Sequence, residues 1–179
     1  MIYVFLAGGF EEIEAVTAID ILRRAGLDVL TAGVPYREVA GSHGIRLVAD
    51  IGAADVSFDD MRAIVLPGGM PGTINLEKSE TVASAISHMA KTGGLIAAIC
   101  AAPSILGRMG LLRGKRAVCF PGYEKELTGA VICDEAVCRD GNIITGKAAG
   151  ASAEFALAVV SALAGEDKAR SVWSAIHLN

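Results

Sequence analysis

The chain has 179 residues, 53% of them apolar and 20% charged, and its sixteen Lys and Arg against twenty Asp and Glu leave a net charge of −4. This balance excludes a disordered chain, and without a Lys/Arg stripe there is no electrostatic footprint for a phosphate backbone, so no nucleic-acid partner is expected. A chain of this length buries roughly 70% of its unfolded surface, enough for a single domain over 1–179 without disulfides or a structural metal.

In chain order, residues 1–7 are apolar but lack a basic lead-in, and Glu11, Glu12 and Glu14 follow too soon for a secretory core. Residues 2–6 predict a buried strand, Gly8-Gly9 a turn, and 11–25 a helix with acids in its first turn, Arg23 and Arg24 in its last and Gly26 as its stop. If that helix buries Ile13, Val16 and Ile19, Glu14 lies at the edge of the inward stripe. Residues 27–34 predict the next strand, 37–50 a small strand pair, and 63–66 a buried strand stopped by Pro67-Gly68-Gly69. A helix is expected over about 79–91, a strand over 95–99, and a helix from Pro103 to about Gly110. Strands over 116–120, 130–138 and 142–145, the last two joined by a hairpin at Asp140-Gly141, precede closing helices over 151–164 and 166–177. Short β-branched runs alternating with helical patterns define an α/β chain, a mostly parallel sheet with helices on both faces.

The longest near-apolar run, 93–103, is shorter than the ~20 residues of a membrane span, so no membrane partner is expected. The four cysteines read as free thiols of a reducing cytoplasm. Cys133 and Cys138, five apart on one predicted strand, should point to opposite faces, which argues against a shared metal or a local disulfide.

In open α/β sheets, ligands bind outside the carboxyl ends of the strands. Three such ends carry unusual residues: Gly8-Gly9 before Glu14, Pro67-Gly68-Gly69, and Cys100-Ala101-Ala102-Pro103. Cys100, on a tight strand-to-helix turn with the helix amino end favouring its thiolate, suits a nucleophile, although a small buried hydrophobe is the alternative. Glu14 suits a carboxylate beside it, or ordinary helix-end electrostatics shared with Glu11 and Glu12. Gly68 and Gly69 suit either a turn or an oxyanion site of backbone N–H groups. His43, His88 and His177 show no triad spacing and read as surface residues. There is neither a dinucleotide Gly-x-Gly-x-x-Gly nor a phosphate loop, so no cofactor is expected, and no metal.

Gly9-Phe10-Glu11-Glu12-Ile13-Glu14, Val65-Leu66-Pro67-Gly68-Gly69 and Ala97-Ala98-Ile99-Cys100-Ala101-Ala102-Pro103 together resemble the ThiJ/PfpI superfamily, in particular the branch of the parkinsonism-associated protein and bacterial ThiJ-type relatives. The resemblance implies a flavodoxin-like fold related to class I glutamine amidotransferase domains, a homodimer, Cys100 as reactive thiol, Glu14 as its carboxylate, and backbone groups of Gly69 and Ala101 as the oxyanion site. Protease members of the superfamily place a histidine where this chain has Ala101, and some nearer members have one where Phe120 stands. Ala148-Ala149-Gly150 replaces the usual Gly-Pro-Gly. Three functions follow from the resemblance. The first is a cofactor-independent glyoxalase or deglycase acting on small reactive aldehydes such as methylglyoxal. The others are an oxidative-stress-responsive thiol protein or chaperone, and a role in thiazole biosynthesis.

Overall fold

The computed structural model describes residues 1–177 and so leaves the last two residues of the expected 1–179 domain outside the described part. The chain runs β1 (Ile2–Ala7), α1 (Glu12–Arg24), β2 (Val29–Val34), β3 (Glu38–Ala40), β4 (Arg46–Val48), β5 (Ile51–Gly52), β6 (Ala63–Leu66), α2 (Gly72–Glu77), α3 (Glu80–Thr92), β7 (Leu95–Ile99), α4 (Pro103–Arg108), β8 (Arg116–Ala117), β9 (Val131–Ile132), β10 (Val137–Asp140), β11 (Ile143–Gly146), α5 (Ser152–Ala164) and α6 (Glu166–Ala175). Seven strands form one sheet in the order β10-β11-β7-β6-β1-β2-β5, parallel except for β10. The central order β2-β1-β6-β7-β11 is that of doubly wound flavodoxin-like folds.

The central strands are buried on both faces, and the two-residue period of the pleat divides their side chains between two cores. Ile2, Val4 and Leu6 of β1 pack with α1, α5 and α6, around Phe10, Leu22, Phe155 and Val159. Tyr3, Phe5 and Ala7 of the same strand pack on the other side with Val82, Ile86 and Met89 of α3 and with Ile105 and Leu106 of α4.

Most element boundaries follow local chemistry. Glu11 caps α1 by accepting the Ile13 N–H, Ser79 caps α3 by accepting the Val82 N–H, and Pro103 occupies the first turn of α4. The expected hairpin forms between β10 and β11, and the expected small strand pair is antiparallel β3–β4. Two elements, α2 and β5, were not expected from the sequence: α2 begins only three residues after the Gly68-Gly69 turn, and β5 is two residues long.

Three expectations are corrected. α1 buries Glu12, Glu14, Ala15, Ala18, Ile21 and Leu22, while Ile13 is 57% and Val16 44% exposed. The helix therefore turns two carboxylates and its small alanines inward, because close packing of α1 on the sheet and α5 favours alanine there and leaves the β-branched residues outside. The expected strand over 130–138 is two strands, β9 and β10, separated by a bend at Glu135 and Ala136. The expected strand over 116–120 is only β8, which pairs in parallel with β9 rather than with the main sheet. In the first case the exposed acids Asp134 and Glu135 interrupt the apolar run, and in the second β8 extends only over the two residues that β9 pairs with. Among the described residues no helix is long and apolar enough to cross a membrane.

Candidate active site

The loops after β1, β6 and β7 meet at the carboxyl end of the sheet, beside the β1–β6 pair where the strand order reverses. Cys100 follows β7 directly and has φ +65°, a left-handed conformation that costs a non-glycine residue of the order of 1–3 kcal/mol. Surrounding hydrogen bonds impose it. The Cys100 N–H donates to the Gly146 carbonyl of β11 at 2.9 Å, the Cys100 carbonyl accepts the Phe120 N–H at 2.8 Å, and the next turn closes with Ala102 N–H to Ile99 O at 3.1 Å. The side chain is thereby lifted off the sheet at a sharp strand-to-helix elbow.

Glu14 reaches the same point from α1. It is 1% exposed, its Oε2 accepts the Gly68 N–H at 2.7 Å, and its buried Oε1 has no hydrogen-bond partner among the described residues. Gly68 lies between the two functional groups. A Cβ there would fall 2.7 Å from the Cys100 Cβ and 2.8 Å from Glu14 Oε2, so any side chain would wedge the carboxyl and the thiol apart. Gly69 takes φ +89° with the Glu11 nitrogen 2.3 Å from where its Cβ would sit, which locks the β6 loop against the start of α1. Gly68 therefore uses its N–H to hold Glu14, in place of the open oxyanion group expected of it, and the N–H groups that favour a negative charge on the Cys100 sulfur are those of Gly69 and Ala101.

Burial raises the Glu14 carboxyl to about 7; the neighbouring Cys100 thiol and the Gly68 N–H oppose the rise, and the charge of Glu11 adds to it. Burial, reinforced by the Glu14 charge, pushes the Cys100 thiol up to about 12 against the pull of the Ala101 and Gly69 N–H groups. The expectation of a thiolate stabilised by the helix end is thus corrected. α4 has only six residues, and its favourable end is outweighed by burial and by the charge of the neighbouring Glu14. Since each group repels the other's negative charge, the pair is best described as one unit that holds a single proton above about pH 7 and two below it.

His43, read from sequence as a surface residue, is exposed yet bound. Its ring Nδ1 lies 2.9 Å from Glu12 Oε2 and its N–H donates to Glu12 Oε1 at 2.7 Å. Burial of Glu12 works to raise its pKa, but the hydrogen bonds from the His43 ring and from the N–H groups of His43 and Ile45 bring it down to about 2. Glu12 thus ties the β3–β4 excursion to α1, and of the three neighbouring acids only Glu14 is left facing the thiol. Gly146 and Phe120, whose backbone groups fix the elbow, were not anticipated. The one signal for Gly146 was its glycine, since a Cβ would meet Ile99 at 2.9 Å.

Residues 1–162 match the model of the DJ-1/PfpI family. Protein dj-1beta of Drosophila melanogaster is 38% identical over 172 residues, covering 94% of this chain and 92% of that protein. A Caenorhabditis elegans protein named glutathione-independent glyoxalase DJR-1.2 is 35% identical over 164 residues, covering 90% and 87%. The structure of oxidized Toxoplasma gondii DJ-1 superposes with a TM-score of 0.94 at 33% identity, covering 98% of this chain and 96% of that one.

Proposed function

Since the chain belongs to the DJ-1/PfpI family, we propose that it is a cofactor-independent glyoxalase that converts methylglyoxal and related small α-oxoaldehydes to hydroxy acids, and so also drains the reversible early adducts these aldehydes form with proteins. The observation that carries this reading is the buried, half-satisfied Glu14 carboxyl, raised to about 7, against Cys100 at its left-handed elbow. The glyoxalase name of the nematode relative supports it.

The mechanism uses that pair as one proton-transfer unit. Ionised Glu14 takes the thiol proton as Cys100 Sγ attacks the aldehyde carbon, and the proton passes to the aldehyde oxygen, which lies against the Gly69 and Ala101 amides in the resulting hemithioacetal. Glu14, ionised again, takes the proton from the former aldehyde carbon and returns it to the neighbouring carbon through an enediol, while the hydroxyl proton of the former aldehyde passes to the neighbouring oxygen. The product is a lactoyl thioester on Cys100, which water hydrolyses to lactate and free thiol. A carboxyl near pH 7 serves both as acceptor and as donor in this sequence, which an ordinary surface glutamate does not.

The homodimer expected from the resemblance belongs to the same reading, supported by the apolar Ile13 and Val16 that α1 leaves exposed. Sedimentation at micromolar concentration giving only the 18.4 kDa species would refute it. The function is tested by following lactate from methylglyoxal with glutathione absent and metals chelated. Lactate production lost in Cys100→Ser supports the reading, and its persistence near the wild-type rate sinks it in favour of a thiol protein without this activity.

A further inference from the structure

The second cysteine cluster belongs to no part of this mechanism. The sequence places Cys133 and Cys138 on opposite faces of one strand, but the bend between β9 and β10 folds the chain back, and their Sγ atoms lie 2.9 Å apart. Both are free thiols. Separate elements fix the two sides: the Cys133 N–H donates to Ala117 O of β8 at 2.9 Å, and Cys138 pairs with Thr145 of β11. The contact therefore bridges the small β8–β9 sheet and the edge of the main sheet. Only Asp134, Glu135, Ala136 and Val137 separate the two cysteines in sequence, and the first three of these are exposed.

The two thiols differ in access. Cys138 is 1% exposed, whereas Cys133 is half-buried and opens on a cavity of about 350 Å³ lined also by Cys119, a buried third thiol, and by Pro121, Ile132, Asp134 and Lys147. The Arg116 guanidinium is ion-paired with Glu135, which lies between the two cysteines in sequence, and so brings a cation to the same bend. A cation beside a half-exposed thiol, with a second thiol behind it and a cavity in front, is the layout of an attacking and a resolving cysteine. Burial, then the neighbouring Cys133, pushes the Cys138 thiol up to about 12.

We propose that Cys133 and Cys138 form a second reactive site, a dithiol that exchanges with low-molecular-weight disulfides to give a reversible intrachain disulfide, independently of Cys100. The Cys133 sulfur attacks one sulfur of a disulfide RSSR, forming Cys133–S–S–R and releasing RS⁻, which takes up the Cys133 proton. The Cys138 sulfur then attacks the Cys133 sulfur, the bond to R breaks, and a second RSH leaves with the Cys138 proton. The dithiol loses two electrons and two protons, and RSSR gains them as two RSH. This site stands apart from the proposed glyoxalase activity and does not depend on it.

Trypsin cuts after Lys125 and Arg139 and at no Lys or Arg between them, so both cysteines fall in one peptide, 126–139. Full-length wild type and Cys100→Ser are treated with glutathione disulfide at neutral pH, alkylated with iodoacetamide in denaturant, digested and weighed. The expected result in both proteins is a peptide lacking two hydrogens and carrying no alkyl group, restored by dithiothreitol to a doubly alkylated one. Cys138→Ser should instead hold a stable glutathione adduct on Cys133, and Cys133→Ser should leave Cys138 without one. A doubly alkylated 126–139 in treated wild type, a glutathione adduct that persists on wild-type Cys133 without closing the ring, or a disulfide that forms only when Cys100 is present would each overturn the proposal.

Discussion

Cys100 and the Cys133–Cys138 pair are both thiol sites, yet the fold treats them in opposite ways. Cys100 is held at the meeting of three central strands by two backbone hydrogen bonds, two glycines that tolerate no Cβ and a buried carboxyl. Cys133 follows a two-residue strand at the molecular edge, beside exposed acids, and its partner is another thiol. The first arrangement fixes geometry at the expense of backbone strain and a crowded proton balance, which suits proton transfer at one set of atoms. The second leaves the backbone free to yield and makes a sulfur–sulfur bond the nearest available chemistry. A carboxyl partner makes a thiol an acid–base unit; a thiol partner makes it a redox unit.

The largest effect that separates the two sites is on catalysis. Cys100→Ser and Glu14→Gln should each lower lactate formation by ~10²–10⁴-fold, with the double variant little worse than either, because the two groups act in one sequence of steps. Cys133→Ser should leave the rate within about twofold, as expected of a residue outside the reacting atoms. A comparable loss in Cys133→Ser would erase the distinction between the sites.

The pH profile sharpens the comparison. The active pair holds one proton, so kcat/KM should fall about tenfold per pH unit below about 7 and level off above it, as Glu14 ionises. The folded Glu14 pKa lies above its ordinary value of 4.5, so the fold favours the protonated form. Its contribution to stability is fully present below about 4.5 and is lost as pH rises through about 7. Denaturant titrations should therefore show wild type losing stability relative to Glu14→Gln over that window. A rate that is flat from pH 5 to pH 8 would remove Glu14 from the acid–base role.

Glycine substitutions probe how firmly each region is held. Gly69→Ala should cost about 1–3 kcal/mol in urea unfolding, because it combines a positive φ with backbone 2.3 Å from the new Cβ. Gly141→Ala, in the hairpin beside Cys138, also has positive φ, but its nearest neighbour is the Lys115 amine at 3.7 Å, so a cost of only ~1 kcal/mol is expected. Equal costs would mean that the elbow is no more constrained than the edge.

The smallest effect concerns Glu12, which braces the active region through His43. Its folded pKa of about 2 lies below the ordinary 4.5, so its contribution is present above about pH 4.5 and lost as pH falls toward 2. Wild type should lose stability faster than Glu12→Gln in that range, and parallel curves would show that the tie to His43 carries no weight.

What local sequence decided was the order of elements and the three strand ends that meet at the site. Strand runs such as Ala63–Leu66, the helix starts near Glu11 and Ser79, the helix-starting Pro103 and the Asp140-Gly141 turn each act over a few residues, so the sequence states them directly. The same locality marked Cys100 at its strand-to-helix turn and Gly68-Gly69 after a strand, whereas the pairing of Glu14 with Cys100 and the oxyanion role of Gly69 came from the family resemblance. Tertiary packing decided the rest. The face α1 turns inward is set by α5 and the sheet, and it reversed the position expected for Ile13 and Val16. The height of the Cys100 pKa depends on burial and on a carboxylate eighty-six positions away, the difference between residues 100 and 14. The Cys133–Cys138 contact depends on whether the chain between them stays extended. Its bend arises only where β9 pairs with β8 and β10 with β11, and strand pairing between distant segments is the kind of information that spacing along one chain does not carry.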